Sequence, residues 1–475
     1  MRFFLSSFIL FFSLTLGAQG NSQWTLEGCV NYALENNLQV RQLQNQAKFA
    51  ELDLKRDKWS RLPSLSGRTS YGVQLGRTID PTTNTFEQQN IGFNSYSIDG
   101  NIVIYNGNRI NNSIQQSNLN FQAAELEAED TGYDVALDVA NRYLTVLLTR
   151  EQLNNARAQL QLTDDQLAQT DAAIQAGSLP EAERYDLIAQ QAANQSSIVD
   201  LENQVQLALV NLQLTLELDP SDDFNIITPD LEISQRDLVE NYSFEEVYLS
   251  ASTTQPTLRA ADLRRSSAAL GKEVAKAGFY PTLSVFGSLS TNYSSIARNA
   301  QFTGFELGDS EPVVINGEEA TIAGFEPQFN FSDQPFFDQL NQNFGQTIGL
   351  SLNVPIYSQG RNQIAVQQAE INRQNADIQY QQAVNTLQSE VTQALTNLRA
   401  ARQSYQAAET SFEASERAYE VAKRRYELGA SNNLDLITAA NRLESARIER
   451  TRSKYQLIFN QQVIQFYLGQ PLKLN

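Results

Sequence analysis

Residues 344–370, FGQTIGLSLNVPIYSQGRNQIAVQQAE, join two periodicities with almost no linker between them. Phe344, Ile348, Leu350, Leu352, Val354 and Ile356 alternate with Gly345, Thr347, Gly349, Ser351 and Asn353. Period two with one apolar and one polar face describes a strand. Pro355 falls at its end, where a missing N–H does least harm to a ladder. Ser358-Gln359-Gly360 then turns the chain into a helical pattern that runs for about seventy residues.

The junction occurs twice. Residues 98–120 match it 252 positions upstream: Ile104-Tyr105 answers Ile356-Tyr357, Arg109 answers Arg361, and Gln115-Gln116 answers Gln367-Gln368. The preceding segments repeat at an offset of 218. Leu62-Pro63-Ser64-Leu65-Ser66 answers Tyr280-Pro281-Thr282-Leu283-Ser284, and Trp24-Thr25-Leu26-Glu27 answers Tyr242-Ser243-Phe244-Glu245. An internal duplication overrides any domain count taken from length alone. We read residues 21–220 as the first repeat, 221–241 as an acidic connector and 242–475 as the second repeat. The change of offset marks an insertion at 294–343. It is rich in Asp, Glu and Phe, and we read it as a long solvated loop between two strands rather than as a calcium loop.

Each repeat predicts a helix (24–58 in the first), two strands, a long helix and a return helix. The first strand sets Leu65, Gly67, Thr69, Tyr71, Val73 and Leu75 against Ser66, Arg68, Ser70, Gly72 and Gln74, and Asp80-Pro81-Thr82-Thr83-Asn84 forms a turn. The next puts Tyr96, Ile98, Ile102 and Ile104 on one face, and a third does so with Leu283, Val285, Leu289 and Tyr293.

From Val384 the apolar and small residues fall at alternating steps of three and four. They run through Leu387, Val391, Ala394, Leu398, Ala401, Tyr405, Ala408, Phe412, Ser415, Tyr419 and Ala422 to Tyr426, a heptad seam. The first repeat carries Val139, Val146, Leu153, Leu160, Leu167 and Ile174. No proline interrupts 108–179 or 356–470. A helix of ~68 residues is ~100 Å long, a length suited to crossing a wide compartment. Gly177 and Gly429 sit where each long helix ends, the position glycine favours past a C-terminus, so each repeat forms a helical hairpin with a tip.

Composition excludes much. The chain has no histidine and one cysteine, which argues against the common zinc sites, internal disulfides and histidine-based catalysis. No phosphate-binding glycine loop with Lys-Ser/Thr is present. We therefore expect no catalytic residues, no metal and no cofactor. The formal charge of −19, without basic clusters, argues against nucleic acid. Arg2, the apolar run at 3–16 and Ala18-Gln19-Gly20 form a secretory signal, residues 1–20. Leu26-Glu27-Gly28-Cys29 resembles a lipidation box but lies beyond a polar gap, so Cys29 is read as a small apolar helix residue. No later stretch approaches the ~20 apolar residues of a membrane helix.

An exported chain with four strands of ~10 residues, apolar on one face and polar on the other, fits a membrane β-barrel or an ordinary sandwich, and the very long helices favour the barrel. Four strands cannot close one, and lipid tolerates no unpaired edge, so two or three chains must combine. At the second tip, Arg425-Tyr426-Glu427-Leu428-Gly429 and then Leu434-Asp435-Leu436 resemble the R-Y-x-x-G…L-D-L pattern of the TolC-like outer-membrane efflux protein family. The likeness covers nearly the whole chain after the leader. The first tip keeps Gly177 and Asp186-Leu187 but has Ala173 and Ile174 in place of the Arg-Tyr pair.

The resemblance implies a mostly α fold in a homotrimer. Four strands from each chain would share one 12-stranded barrel in outer-membrane lipid, continued by an α-helical coiled-coil tunnel in the periplasm. It implies passive conduction in a tripartite efflux or type I secretion system, with a periplasmic adaptor and an inner-membrane transporter as partners. Arg425, Tyr426, Gly429 and Gly177 would be the adaptor-docking tips, and Asp435 with Asp186 the periplasmic gate. In some members a second Asp follows three residues later; here that position is Thr438. A periplasmic adaptor is the main alternative, but it would carry one hairpin and soluble β domains.

Overall fold

The computed structural model describes residues 23–79, 85–88, 90–229, 233, 238–239, 241–315, 317–428, 430–431 and 433–470. The leader, the turn expected at 80–84, much of the connector and Gly429 lie outside them.

The first repeat runs β1 (Gln23–Trp24), α1 (Leu26–Asn36), α2 (Leu38–Trp59), β2 (Ser64–Gln74), β3 (Arg77–Ile79), β4 (Phe86–Gln88), β5 (Ile91–Tyr105), α3 (Arg109–Gln175) and α4 (Ala182–Thr215). β6 (Asn225–Ile226) lies in the connector. The second repeat runs α5 (Phe244–Thr254), α6 (Pro256–Lys276), β7 (Thr282–Ser294), β8 (Arg298–Ile315), β9 (Glu318–Asp333), α7 (Phe336–Gln342), β10 (Gly345–Asn353), α8 (Arg361–Glu427) and α9 (Asn433–Tyr467). α3 and α8 are each 67 residues long. The elements form two compact units: the chain up to Glu51 with Asn118–Ser266 and the chain from Gln374, and Leu52–Ser117 with Ser267–Arg373.

In the first unit, side-chain caps decide where helices begin. The Thr25 hydroxyl accepts from the Gly28 N–H at 3.0 Å, and Ser243 does the same for Glu246 at 3.1 Å. The helix expected over 24–58 is in fact two. Asn37 leaves the helical region, its side-chain oxygen accepts from Gln39 N–H at 2.9 Å, and a new helix starts there. The matching break in the second repeat falls at Gln255, ahead of Pro256.

Two hydrophobic cores follow the duplication residue by residue. Cys29 and Ala33 correspond to Val247 and Ala251, and Val139, Val146 and Leu212 correspond to Val391, Leu398 and Ile464. All ten are at most 2% exposed. Burying each of the larger aliphatic side chains contributes about 1.5–3 kcal/mol. Burial pushes the Cys29 thiol up to about 12, consistent with a packing role.

The second unit holds a four-stranded antiparallel sheet in the order β10-β7-β5-β2. Its register aligns the predicted faces: Thr69 pairs with Tyr96, Tyr96 with Thr291, Ile98 with Leu289, and Val285 with both Ile102 and Leu350. One detail differs from expectation. A register shift between Val103 and Tyr105 puts Tyr105, not Ile104, opposite Leu283.

The segment read as a long loop at 294–343 is instead a β-hairpin, β8 paired with β9, followed by the short α7. Cross-strand Phe, Val and Ile residues favour strand pairing there, and the acidic residues that suggested a loop alternate with them. Asn343 and Gln339 tie α7 to β7 through the Asn292 carbonyl (2.8 Å) and the Ser294 N–H (2.9 Å).

Candidate functional site

The first candidate site is the sheet. Its apolar face carries Leu65, Tyr71, Val73, Ile98, Leu283, Val285, Leu289, Ile348, Leu350 and Leu352 in one register. Ile348, Leu350 and Leu352 are 85%, 71% and 64% exposed. So much open aliphatic surface on a regular sheet needs an apolar environment.

The opposite face is hydroxyl-rich. Ser97 and Ser288 donate to Asp99 at 3.0 and 2.7 Å, and the hydroxyls of Ser70 and Ser95 lie 2.6 Å apart. The ring tip of Phe93 lies against Gly72 and that of Phe286 against Gly349, where a Cβ would come within 2.5 and 2.6 Å of the ring. Glycine is what lets each ring lie against the backbone. Among the described residues, strands β2 and β10 are the outer strands of the sheet, with one edge each unpaired.

The second candidate site is the pair of hairpin tips in the first unit. At the first tip Gly177 adopts φ 73°, a left-handed conformation, and Ser178 N–H donates back to the Ala173 carbonyl at 3.0 Å. That bond closes a Schellman-type cap. At the second tip Ala430 N–H donates to the Arg425 carbonyl at 2.8 Å across the same five-residue span; Gly429, within it, lies outside the described residues.

Arg425 is exposed, whereas Tyr426 is half-buried, its hydroxyl 3.5 Å from that of buried Thr170. The structure thus separates the Arg-Tyr pair: Arg425 faces solvent, and Tyr426 packs the second hairpin onto the first. Leu428 and Leu434, part of the tip pattern but given no role from the sequence, are strongly exposed beside the tip. Their place in the tip pattern, outside the heptad seam, is the signal that could have found them.

Asp435 lies exposed in the first turn of α9 and accepts from the Ser431 hydroxyl at 2.9 Å. Asp186 is exposed in α4, next to fully buried Leu187, and a nearby ion pair joins Arg184 and Asp171 at 3.2 Å. Among the described residues no three His, Cys, Asp or Glu side chains gather to hold a metal, and no helix is long and apolar enough to cross a membrane.

A duplicated chain with two very long helical hairpins and an apolar-faced sheet defines the class of channel-forming envelope proteins. The chain belongs to the outer membrane efflux protein family, whose pattern it matches over residues 29–216 and 247–470. It is an outer-membrane efflux channel, a transport protein of a family that works with adaptors and inner-membrane pumps.

Solved structures with the same fold include the outer membrane protein VceC of Vibrio cholerae, with 15% identity, 94% of this chain and 97% of that one covered, and TM-score 0.73. The CmeC outer membrane channel of Campylobacter jejuni has 19% identity, 94% and 85% coverage, and TM-score 0.69. The MtrE outer membrane channel of Neisseria gonorrhoeae has 17% identity, 95% and 90% coverage, and TM-score 0.68. No curated protein matches by sequence.

Proposed function

We propose that three copies of this chain join their sheets edge to edge into one barrel of twelve strands, four from each copy. The helical hairpins continue it as a periplasmic tunnel. Substrates pass through passively, delivered by an inner-membrane pump through a periplasmic adaptor that grips the tips. Arg425 offers a planar fork of donors to the adaptor at the second tip, with Tyr426 and Gly429 beside it in sequence, and Gly177 marks the corresponding docking position at the first tip. Asp435 and Asp186 line the closed end of the tunnel.

One observation carries this reading: the sheet exposes a single apolar face and leaves β2 and β10 open at its edges. Lipid tolerates the face but not the edges, because unpaired N–H and C=O groups cost several kcal/mol each in hydrocarbon. Pairing β2 of one copy with β10 of the next removes both edges at once. Light scattering of the detergent-solubilised protein tests the assembly. A trimer is expected, and a monodisperse monomer overturns the shared barrel. Loss of adaptor crosslinking in Arg425→Ala, with the trimer intact, is the result expected of the docking role.

A further inference from the structure

The β8–β9 hairpin is amphipathic in a way that a solvated loop does not need to be. Along β9, Phe331, Phe329 and Phe325 share one face, and register puts Phe302 opposite Phe329 and Leu307 opposite Phe325. A register shift after Phe302 keeps Phe305 on that face as well, paired with Pro327, and a second after Leu307 does the same for Val314. The rings touch: Phe302 lies 5.1 Å from Phe305 and 5.9 Å from Phe329 between centroids, and Phe329 lies 6.4 Å from Phe331. Yet these five phenylalanines are 45–72% exposed. At about 200 Å² per ring they present about 600 Å² of apolar surface, the upper end of what a monomer usually leaves open. With Leu307 and Val314 the patch nears the ~800 Å² per partner of a stable interface.

Glu319 and the Arg298–Asp333 pair lie only at the two ends of the phenylalanine face. The other face carries Glu306 directly opposite Glu326, with Glu311 three pairs further on and Glu318 near the turn. Like charges opposite one another destabilise an isolated hairpin and resist burial, so that face belongs in water.

We infer that the phenylalanine face is a docking surface for a second copy of this chain, with the hairpins of neighbouring copies packing ring against ring and their acidic faces turned to solvent. The inference rests on the proposed assembly, which brings the hairpins of several copies to the same end of one barrel. Membrane lipid is the poorer occupant. Side chains that sit at headgroup level are Trp and Tyr, backed by Lys and Arg. The two strands contain no Trp, Tyr or Lys, and they set seven carboxylates against the single Arg298.

The test uses two single-cysteine variants of the full chain. Native Cys29 is buried, so an introduced thiol reports alone. Phe305→Cys and Glu306→Cys are neighbours on opposite faces of an exposed hairpin, and neither disturbs a core. Each protein is purified in detergent, sized by light scattering, oxidised and run on a non-reducing gel. The expected result is a trimer in both, with chain-to-chain crosslinking from Phe305→Cys and its loss in Glu306→Cys. A trimer without crosslinks from Phe305→Cys, or with equal crosslinking from both positions, overturns the docking face and leaves the assembly standing. A monomer by light scattering overturns both readings before any crosslink is read.

Discussion

The hydroxyl of Tyr143, almost wholly buried on α3, donates to the backbone carbonyl of Ile227 at 2.6 Å. The Trp24 carbonyl lies 3.2 Å from the same oxygen, and Arg150 reaches the Ile226 carbonyl at 2.9 Å. Between these carbonyls the short strands β1 and β6 pair in parallel, Gln23 with Asn225 and Trp24 with Ile226. One long helix therefore holds both the start of the first repeat and the connector that leads to the second.

Tyr143→Phe removes that donor without opening a cavity. The half-buried Ile227 carbonyl is left without its short bond, which costs about 1 kcal/mol. A lowered thermal unfolding midpoint is expected, with the oligomeric state unchanged. An unchanged midpoint would mean that water or the Arg150 guanidinium takes over the carbonyl.

Much of this was readable beforehand, and the duplication explains why. Val139 and Val391, or Leu212 and Ile464, occupy matching sites in two cores, so each repeat's helical periodicity corroborated the other's. The strands were legible because lipid-type faces alternate strictly, and register then confirmed the faces. Asn37 was harder. Its break depends on a side-chain oxygen capping the next helix at Gln39, a local competition that an apolar stripe continuing across it conceals. The β8–β9 hairpin was hidden because its acidic residues look like loop until pairing shows the phenylalanines gathered on one face. At the tips, sequence could nominate Arg425 and Tyr426 but not their opposite fates. That division depends on Thr170, 256 positions away.

Leu350→Arg places a cation on the apolar face of β10, opposite Val285. If the site lies near the middle of the bilayer, the cost is about 2–4 kcal/mol per copy. Trimer yield from membranes should fall sharply. Ser351→Arg, one residue on and facing the hydroxyl-rich side, should assemble nearly as the wild type. The reverse order would assign the two faces the wrong way round.

Asp130 and Asp134 on α3 and Glu390 on α8 have carboxyls held above their ordinary range, chiefly by partial burial and then, for Asp130 and Glu390, by neighbouring carboxylates. The Thr257 hydroxyl bonded to Asp130 and the Tyr467 hydroxyl 3.5 Å from Glu390 offset this only in part. A raised folded pKa means that the folded state holds the proton more tightly. Its contribution is therefore full below the ordinary carboxylate pKa of about 4 and is lost as pH rises through the raised value. Glu370 runs the other way. Arg373 and Lys272, each at 2.8 Å, hold it down to about 2, so its contribution is present above the ordinary value and lost in stronger acid. The unfolding midpoint should fall as pH rises from mildly acidic toward neutral, and Glu390→Gln should flatten that fall. Because Asp134 and Glu390 keep part of their surface in water, the slope will be modest. A midpoint that rises with pH over this range contradicts the account.

Asp435 offers the sharpest test of the gate. Its carboxylate sits at the start of α9, exposed, and accepts from Ser431. Two roles fit that position. As a helix-terminus anion it stabilises α9 by about 0.3–1 kcal/mol. As one of three carboxylates around a closed trimeric end it repels its copies and attracts cations. Such a ring would have no second carboxylate three residues on, since that position is Thr438, and its closure would rest more on helix packing than on charge. Asp435→Asn keeps an acceptor for Ser431 while deleting the charge; Ser431→Ala deletes the bond and keeps the charge. In single-channel recordings of the reconstituted protein, a gate role predicts weaker block by divalent cations or altered conductance in Asp435→Asn, a smaller change in Asp186→Asn and little in Ser431→Ala. A helix-terminus role alone predicts wild-type recordings from all three, with any change confined to the stability of α9.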